Sequence, residues 1–318
     1  MALYRAILAI ILSTSLLALA IVPLSADEAA RELRVVATVP QYGNFMGVGF
    51  GSLWMMSGGK VVRIDVGNNS TTDLPIEGVS GLLGGPNSGR GMAVGEGAIW
   101  VPDVDRSVIY KIDPQTNHVV NKIAADMVGG GGSIGAGLGA VWVITGGSNN
   151  ELSRFSAESG AEEVRVPLPS RSSAALVAFG SVWITGTGND ELYRVDPTSN
   201  EIAATIELDS RPRFLAAGEG SVWVFNEGTG TVQRIDGNDS KLLATIETEG
   251  VGKGSITVGG GFVWVSTRPV PVIQIDPRTN SVRRKLNLVE MGEYSTIAYA
   301  GGSLWVSGAS VRRIKTPE

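Results

Sequence analysis

The chain has 318 residues, room for two average domains or one closed repeat fold; 43 are glycine, only 18 % are charged and 43 % are hydrophobic. That balance suits an all-β protein of short strands and many turns. A formal charge of −5 with scattered Lys and Arg excludes a nucleic-acid footprint, and the lack of cysteine excludes disulfides, thiolate metal sites, a lipoprotein anchor and a Cys nucleophile.

Residues 1–26 carry one positive charge at Arg5, an apolar run from Ala6 to Leu24, and then small residues before Asp27. This is the layout of an export signal, with cleavage expected near Ala26 and a periplasmic or secreted destination. The run is also just long enough to span a bilayer, so an uncleaved anchor is the alternative, and only then would the protein meet a membrane. Removal of residues 1–26 takes away only Arg5 and leaves 25 basic against 31 acidic side chains. Residues 31–318 are expected to form one monomeric domain.

From residue 51 onward one pattern recurs. All seven tryptophans, Trp54, Trp100, Trp142, Trp183, Trp223, Trp264 and Trp305, follow a small-residue turn such as Gly220-Ser221-Val222, at spacings of 46, 42, 41, 40, 41 and 41 residues. A second block comes later in most repeats: Arg63-Ile64-Asp65, Lys111-Ile112-Asp113, Arg194-Val195-Asp196, Arg234-Ile235-Asp236 and Gln274-Ile275-Asp276. Several continue into Asp-Pro-x-Thr-Asn or a close variant, as at 113–117, 196–200 and 276–280. Pro presets a turn dihedral, Asp bonds forward to backbone N–H groups and Asn tolerates the left-handed conformation, so this block is a hairpin connection. With an apolar stretch before each tryptophan and another strand after each turn, a period of ~40 residues holds four strands, one blade of a propeller. The repeated Trp is expected to pack between blades, and the repeated Asp to build its turn in preference to binding calcium.

The last repeat stops after its third strand, 311–314. Val36-Ala37-Thr38-Val39 matches Leu243-Ala244-Thr245-Ile246 and Ala203-Ala204-Thr205-Ile206, outer strands of two other repeats. Residues near 34–40 are therefore expected to pair with residues near 310–315 and complete a seven-bladed β-propeller of four-stranded antiparallel blades.

The motif Gly-x-Gly-Ser-Val-Trp-Val, followed by Val-x-Arg-Ile-Asp-Pro-x-Thr-Asn-x-Val and best seen at 218–236 and 259–282, resembles that of streptogramin (virginiamycin B) lyase-like propellers and YVTN-type repeat proteins. The resemblance covers nearly all of residues 34–315 and is specific for fold. In the lyases it implies a magnesium-assisted elimination that opens a cyclic depsipeptide, with a histidine base near the central opening. The single histidine, His118, follows Asn117 at the start of an outer strand. That edge lies far from the axis, so the catalytic role does not carry over, and an eliminase would need Tyr, Lys or a carboxylate as base.

Propeller ligands usually sit where loops enter the innermost strands. Ten to twelve residues before each tryptophan lie Tyr42 and Asn44, Arg90, Arg171 and Ser173, Arg211 and Arg213, Lys253, and Glu293 with Tyr294; Ser133 falls one residue further on. Arg90, Arg171, Arg213 and Lys253 would set a positive ring on an acidic protein, suited to a carboxylate, a phosphate or an acidic partner loop. The competing reading pairs these cations with neighbours such as Glu77, Asp209 or Glu249. The long entry loop 77–90 could cover the mouth, and the glycine run 129–132 permits close backbone approach. No nucleophile elbow, zinc-ligand pair or EF-hand spacing is present, so any metal would be a hard cation such as magnesium or calcium. A binding module for a protein or small anion is the leading expectation. A metal-dependent lyase or lactonase acting on cyclic esters is the alternative.

Overall fold

A computed structural model describes residues 33–76, 91–127, 134–268, 272–286 and 296–316. Seven four-stranded antiparallel sheets form the blades of a β-propeller. Each blade runs outward in chain order; blade 5, for example, consists of Pro212–Gly218, Ser221–Asn226, Thr231–Asp236 and Leu242–Glu247. The first strand of each blade faces the axis, the second carries the tryptophan, the third the Arg-Ile-Asp block, and the fourth is outermost. Blade 7 takes its outermost strand from the other end of the chain. Arg34–Val39 pairs antiparallel with Val311–Lys315, from Arg34↔Lys315 to Val39↔Val311, in the expected register.

The glycine before each tryptophan block sits in a turn whose backbone requires it. The two turn residues between first and second strands both have positive φ in every blade: Phe50 and Gly51, Glu96 and Gly97, Leu138 and Gly139, Phe179 and Gly180, Glu219 and Gly220, Gly260 and Gly261, Gly301 and Gly302. Paired positive φ values mark the two-residue hairpin turns that match strand twist, and glycine adopts them without steric cost. The third-to-outermost turns are built as the sequence indicates. Asp236 Oδ1 accepts from the backbone N–H groups of Asn238 and Asp239, both at 2.8 Å, and Asp65, Asp113 and Asp196 do the same. Asn69, Asn117, Asn200 and Asn280 hold the left-handed position that follows.

All seven tryptophans are fully buried. Trp54 packs against Ile99, Val101 and Tyr110 of blade 2, and Trp100 against Val141 and Val143 of blade 3. Each indole N–H donates to the carbonyl five residues earlier, from Trp54 Nε1 to Gly49 O at 3.1 Å through Trp305 Nε1 to Ala300 O at 3.0 Å. The ring is thus buried without stranding its donor.

The Arg of the second block ties neighbouring blades together. Arg234 stacks 5.0 Å over Trp223, bonds Ser221 Oγ through Nε at 2.8 Å and reaches Pro277 O at 2.6 Å and Asn280 Oδ1 at 3.0 Å in blade 6. Arg63 and Arg154 repeat the reach into blades 2 and 4. Arg313 of blade 7 bonds Asn69 Oδ1 of blade 1 at 3.0 Å, so the same contact joins the first and last blades.

Candidate functional site at the central channel

The innermost strands surround a central cavity of about 500 Å³. Phe45, Met46, Met92, Ile134, Leu215 and Ile256 are among the side chains on its wall, the polar ones are Ser255, Thr257, Thr296 and Tyr299, and none of the described lining residues is charged. The wall is apolar because each first strand must also bury its flanks against the next blade. A Cβ at Gly218 would stand 2.5 Å from Val258, which shows how close adjacent strands come. Phe214 belongs to the wall and stacks on Phe225 of its own blade at 6.3 Å between centroids.

The sequence-selected residues divide into three groups. Arg90, Ser133, Glu293 and Tyr294 lie outside the described residues, as do the 77–90 loop and the 129–132 glycines. Tyr42 and Arg171 are exposed and precede the first strands of blades 1 and 4; Asn44 begins the first strand of blade 1. Ser173, Arg213 and Lys253 lie within the first strands of blades 4, 5 and 6. Arg171, Arg213 and Lys253 thus occupy three successive blades at the entry end of the channel.

Pairing with the second strand separates two positions that residue counting merges. Ser172 pairs with Gly186 and Pro212 with Asn226, so Arg171 corresponds to Arg211, and Ser173 to Arg213. Ser173 is buried and accepts from Thr187 Oγ1 at 2.6 Å. Arg213 is half-buried, its guanidinium 5.6 Å from the centroid of Phe214.

The partner of this arginine is a residue that sequence reasoning missed. Glu227, 6 % exposed, places Oε2 at 3.2 Å from Arg213 Nη1 and at 3.7 Å from Arg211 Nη2. Of the acids named from sequence, Asp209 instead accepts from Thr231 Oγ1 at 2.6 Å, and Glu249 pairs with Lys285. The available signal was position: Glu227 falls four residues after Trp223, where the corresponding residues after Trp54, Trp142 and Trp183 are Gly58, Gly146 and Thr187. Asn226 beside it is fully buried, its amide donating to Thr231 Oγ1 and Gln233 Oε1. Blade 5 therefore concentrates buried polar groups along its second and third strands.

His118 is exposed in a third-to-outermost turn of blade 2, where its carbonyl accepts from Asp113 N–H at 2.9 Å. That turn lies on the face opposite the channel entry, remote from any chemistry at the mouth. The carboxyls of Asp113, Asp196 and Asp236 are held below the ordinary aspartate range by backbone N–H groups, and that of Asp276 by Arg278. Among the described residues no group of three His, Cys, Asp or Glu side chains is placed to hold a metal ion. The magnesium implied by the resemblance therefore finds no ready donor set there. No helix among these residues is long and apolar enough to cross a membrane.

No protein-family model matches the chain, and no curated protein matches it. Solved structures do. A streptogramin B lyase superposes with a TM-score of 0.72 at 16 % identity, over 89 % of this chain and 97 % of that one. Virginiamycin B lyase from Staphylococcus aureus gives 0.73 at 14 % identity, over 89 % and 99 %. The WD40 β-propeller domain of Doa1 gives 0.68 at 11 % identity, over 89 % and 97 %. At these identities the likeness is one of fold, and this chain is a seven-bladed propeller built like the streptogramin B lyases.

Proposed function

We propose that this protein is an exported binding propeller that takes a protein segment or small anion at the entry face of its central channel. One observation carries the reading: a cavity of about 500 Å³ whose described lining residues carry no charge has Arg213 at its edge, stacked on a ring of the cavity wall. An apolar recess with few convergent polar groups is the usual form of a ligand site. The arc of Arg171, Arg213 and Lys253 selects for negative charge.

Charge reversal at all three positions should abolish binding of an acidic ligand, scored by calorimetry against anionic peptides and inorganic phosphate. Binding at wild-type strength by a folded triple variant would sink the site. In the same preparation, magnesium-dependent turnover of a cyclic ester that chelator abolishes would replace this reading with that of a lyase or lactonase. Export is tested separately by the intact mass of the protein recovered from its native compartment, where loss of residues 1–26 is expected and an intact N-terminus would point to an anchor.

A further inference from the structure

The wall of the channel carries a second kind of recognition group besides its apolar side chains. Every innermost strand is the edge of its sheet, so its outward backbone N–H and C=O groups lie outside any ladder; at the entry end Ser172 and Gly252 donate instead to Asn149 O and Glu227 O of the neighbouring blades. An acyl chain entering the cavity would cover these groups and satisfy none of them. A peptide would supply matching donors and acceptors along an edge strand while its apolar side chains meet Phe45, Leu215 and Ile256.

At the rim, Arg213 is only partly engaged. Nη1 faces Glu227 at 3.2 Å, whereas Nε is buried with no hydrogen-bond partner. A buried donor left open beside a ligand-sized cavity calls for an acceptor from outside the chain. A carboxylate uses two parallel N–H groups of one guanidinium.

We infer that the channel receives a short apolar peptide that enters N-terminus first and leaves its free terminal carboxylate at the rim, held by Arg213; this rests on the binding role proposed above. Glu227 is then an internal competitor that the incoming carboxylate displaces from the guanidinium. Three or four extended residues span ~10–13 Å, a length suited to such a recess.

The test is calorimetric titration of the full protein with an N-acetylated Leu-Val-Leu-Val tetrapeptide, as free acid and as C-terminal amide, beside dodecanoate and acetate. The free acid should bind roughly tenfold or more tightly than the amide. Arg213→Met should remove that difference, Arg213→Lys should restore part of it, and Glu227→Gln should strengthen binding of the acid. Thermal melts establish that each variant is folded. Equal binding of acid and amide by the wild type, or an unchanged preference in folded Arg213→Met, overturns the carboxylate clamp. Acetate binding as tightly as the peptide overturns the peptide occupant but leaves the anion-binding reading standing, as does dodecanoate binding more tightly than the peptide. Failure of all four probes overturns the peptide occupant, and the triple charge reversal with phosphate then decides the broader reading.

Discussion

At the scale of single residues, the repeated tryptophan is held by three different forces. Trp223 is fully buried, donates to Gly218 O at 3.1 Å and lies under the guanidinium of Arg234. Trp223→Phe keeps an aromatic ring but loses the donor and some volume, and is expected to lower stability by about 1–3 kcal/mol in urea denaturation. Arg234→Met should cost less, and the double variant should fall short of the sum by ~0.5–1 kcal/mol because the two side chains share one contact. Strict additivity would show that the stacking carries no weight. The repeat period exposed the tryptophan as an inter-blade residue. It did not expose the arginine's reach into Pro277 and Asn280, because that contact spans 43–46 residues of sequence and depends on how two blades stand side by side.

At the scale of elements, the outermost strands manage an edge. Five of them carry a register shift opposite the third strand, as between Arg234 and Ile235 where Leu243 is skipped, and the N-terminal strand has its own shift between Val35 and Ala37. A bulge bends an edge strand and makes it a poor template for pairing with another chain. It also explains why Val36, Val120 and Leu243 are exposed at 46 %, 55 % and 48 %. Deleting residues 34–39 should bare the edge of Val311–Lys315, lower the melting temperature and produce self-association on size exclusion. Val36→Lys at the bulge should stay within about 0.5 kcal/mol of wild type. An undiminished melting temperature in the deletion would remove the N-terminal strand from the stability of blade 7. The partner of this strand was legible in the match of Val-Ala-Thr-Val to other outer strands. The bulge was not, since no residue type marks it.

At the scale of the whole molecule, acid stability follows from the turns. Asp113, Asp196 and Asp236 have carboxyls held below their unfolded values by backbone N–H groups. A depressed pKa contributes stability that is complete above the unfolded value, about 3.9, and disappears as pH falls through the folded one. The protein should therefore lose melting temperature progressively below about pH 5, and Asp196→Asn, which has no proton to gain there, should show a shallower loss. A melting temperature that declines as steeply for Asp196→Asn as for wild type would detach the turn carboxylate from acid unfolding.

The sequence by itself determined the blade count, the four strands per blade, the Asp turns and the strand that completes blade 7, because each is a local pattern repeated at a near-constant period. The site was only partly legible. Counting from the tryptophans placed Arg171, Arg213 and Lys253 at the channel entry, but it treated Arg171 and Arg213 as equivalent when strand pairing separates them. It named Asp209 and Glu249 as partners where the folded chain brings Glu227 to Arg213. Only the tertiary structure decided that pairing, which is made where two strands of blade 5 lie side by side, and the apolar cavity beside it, which is made where strands from different blades converge on one axis.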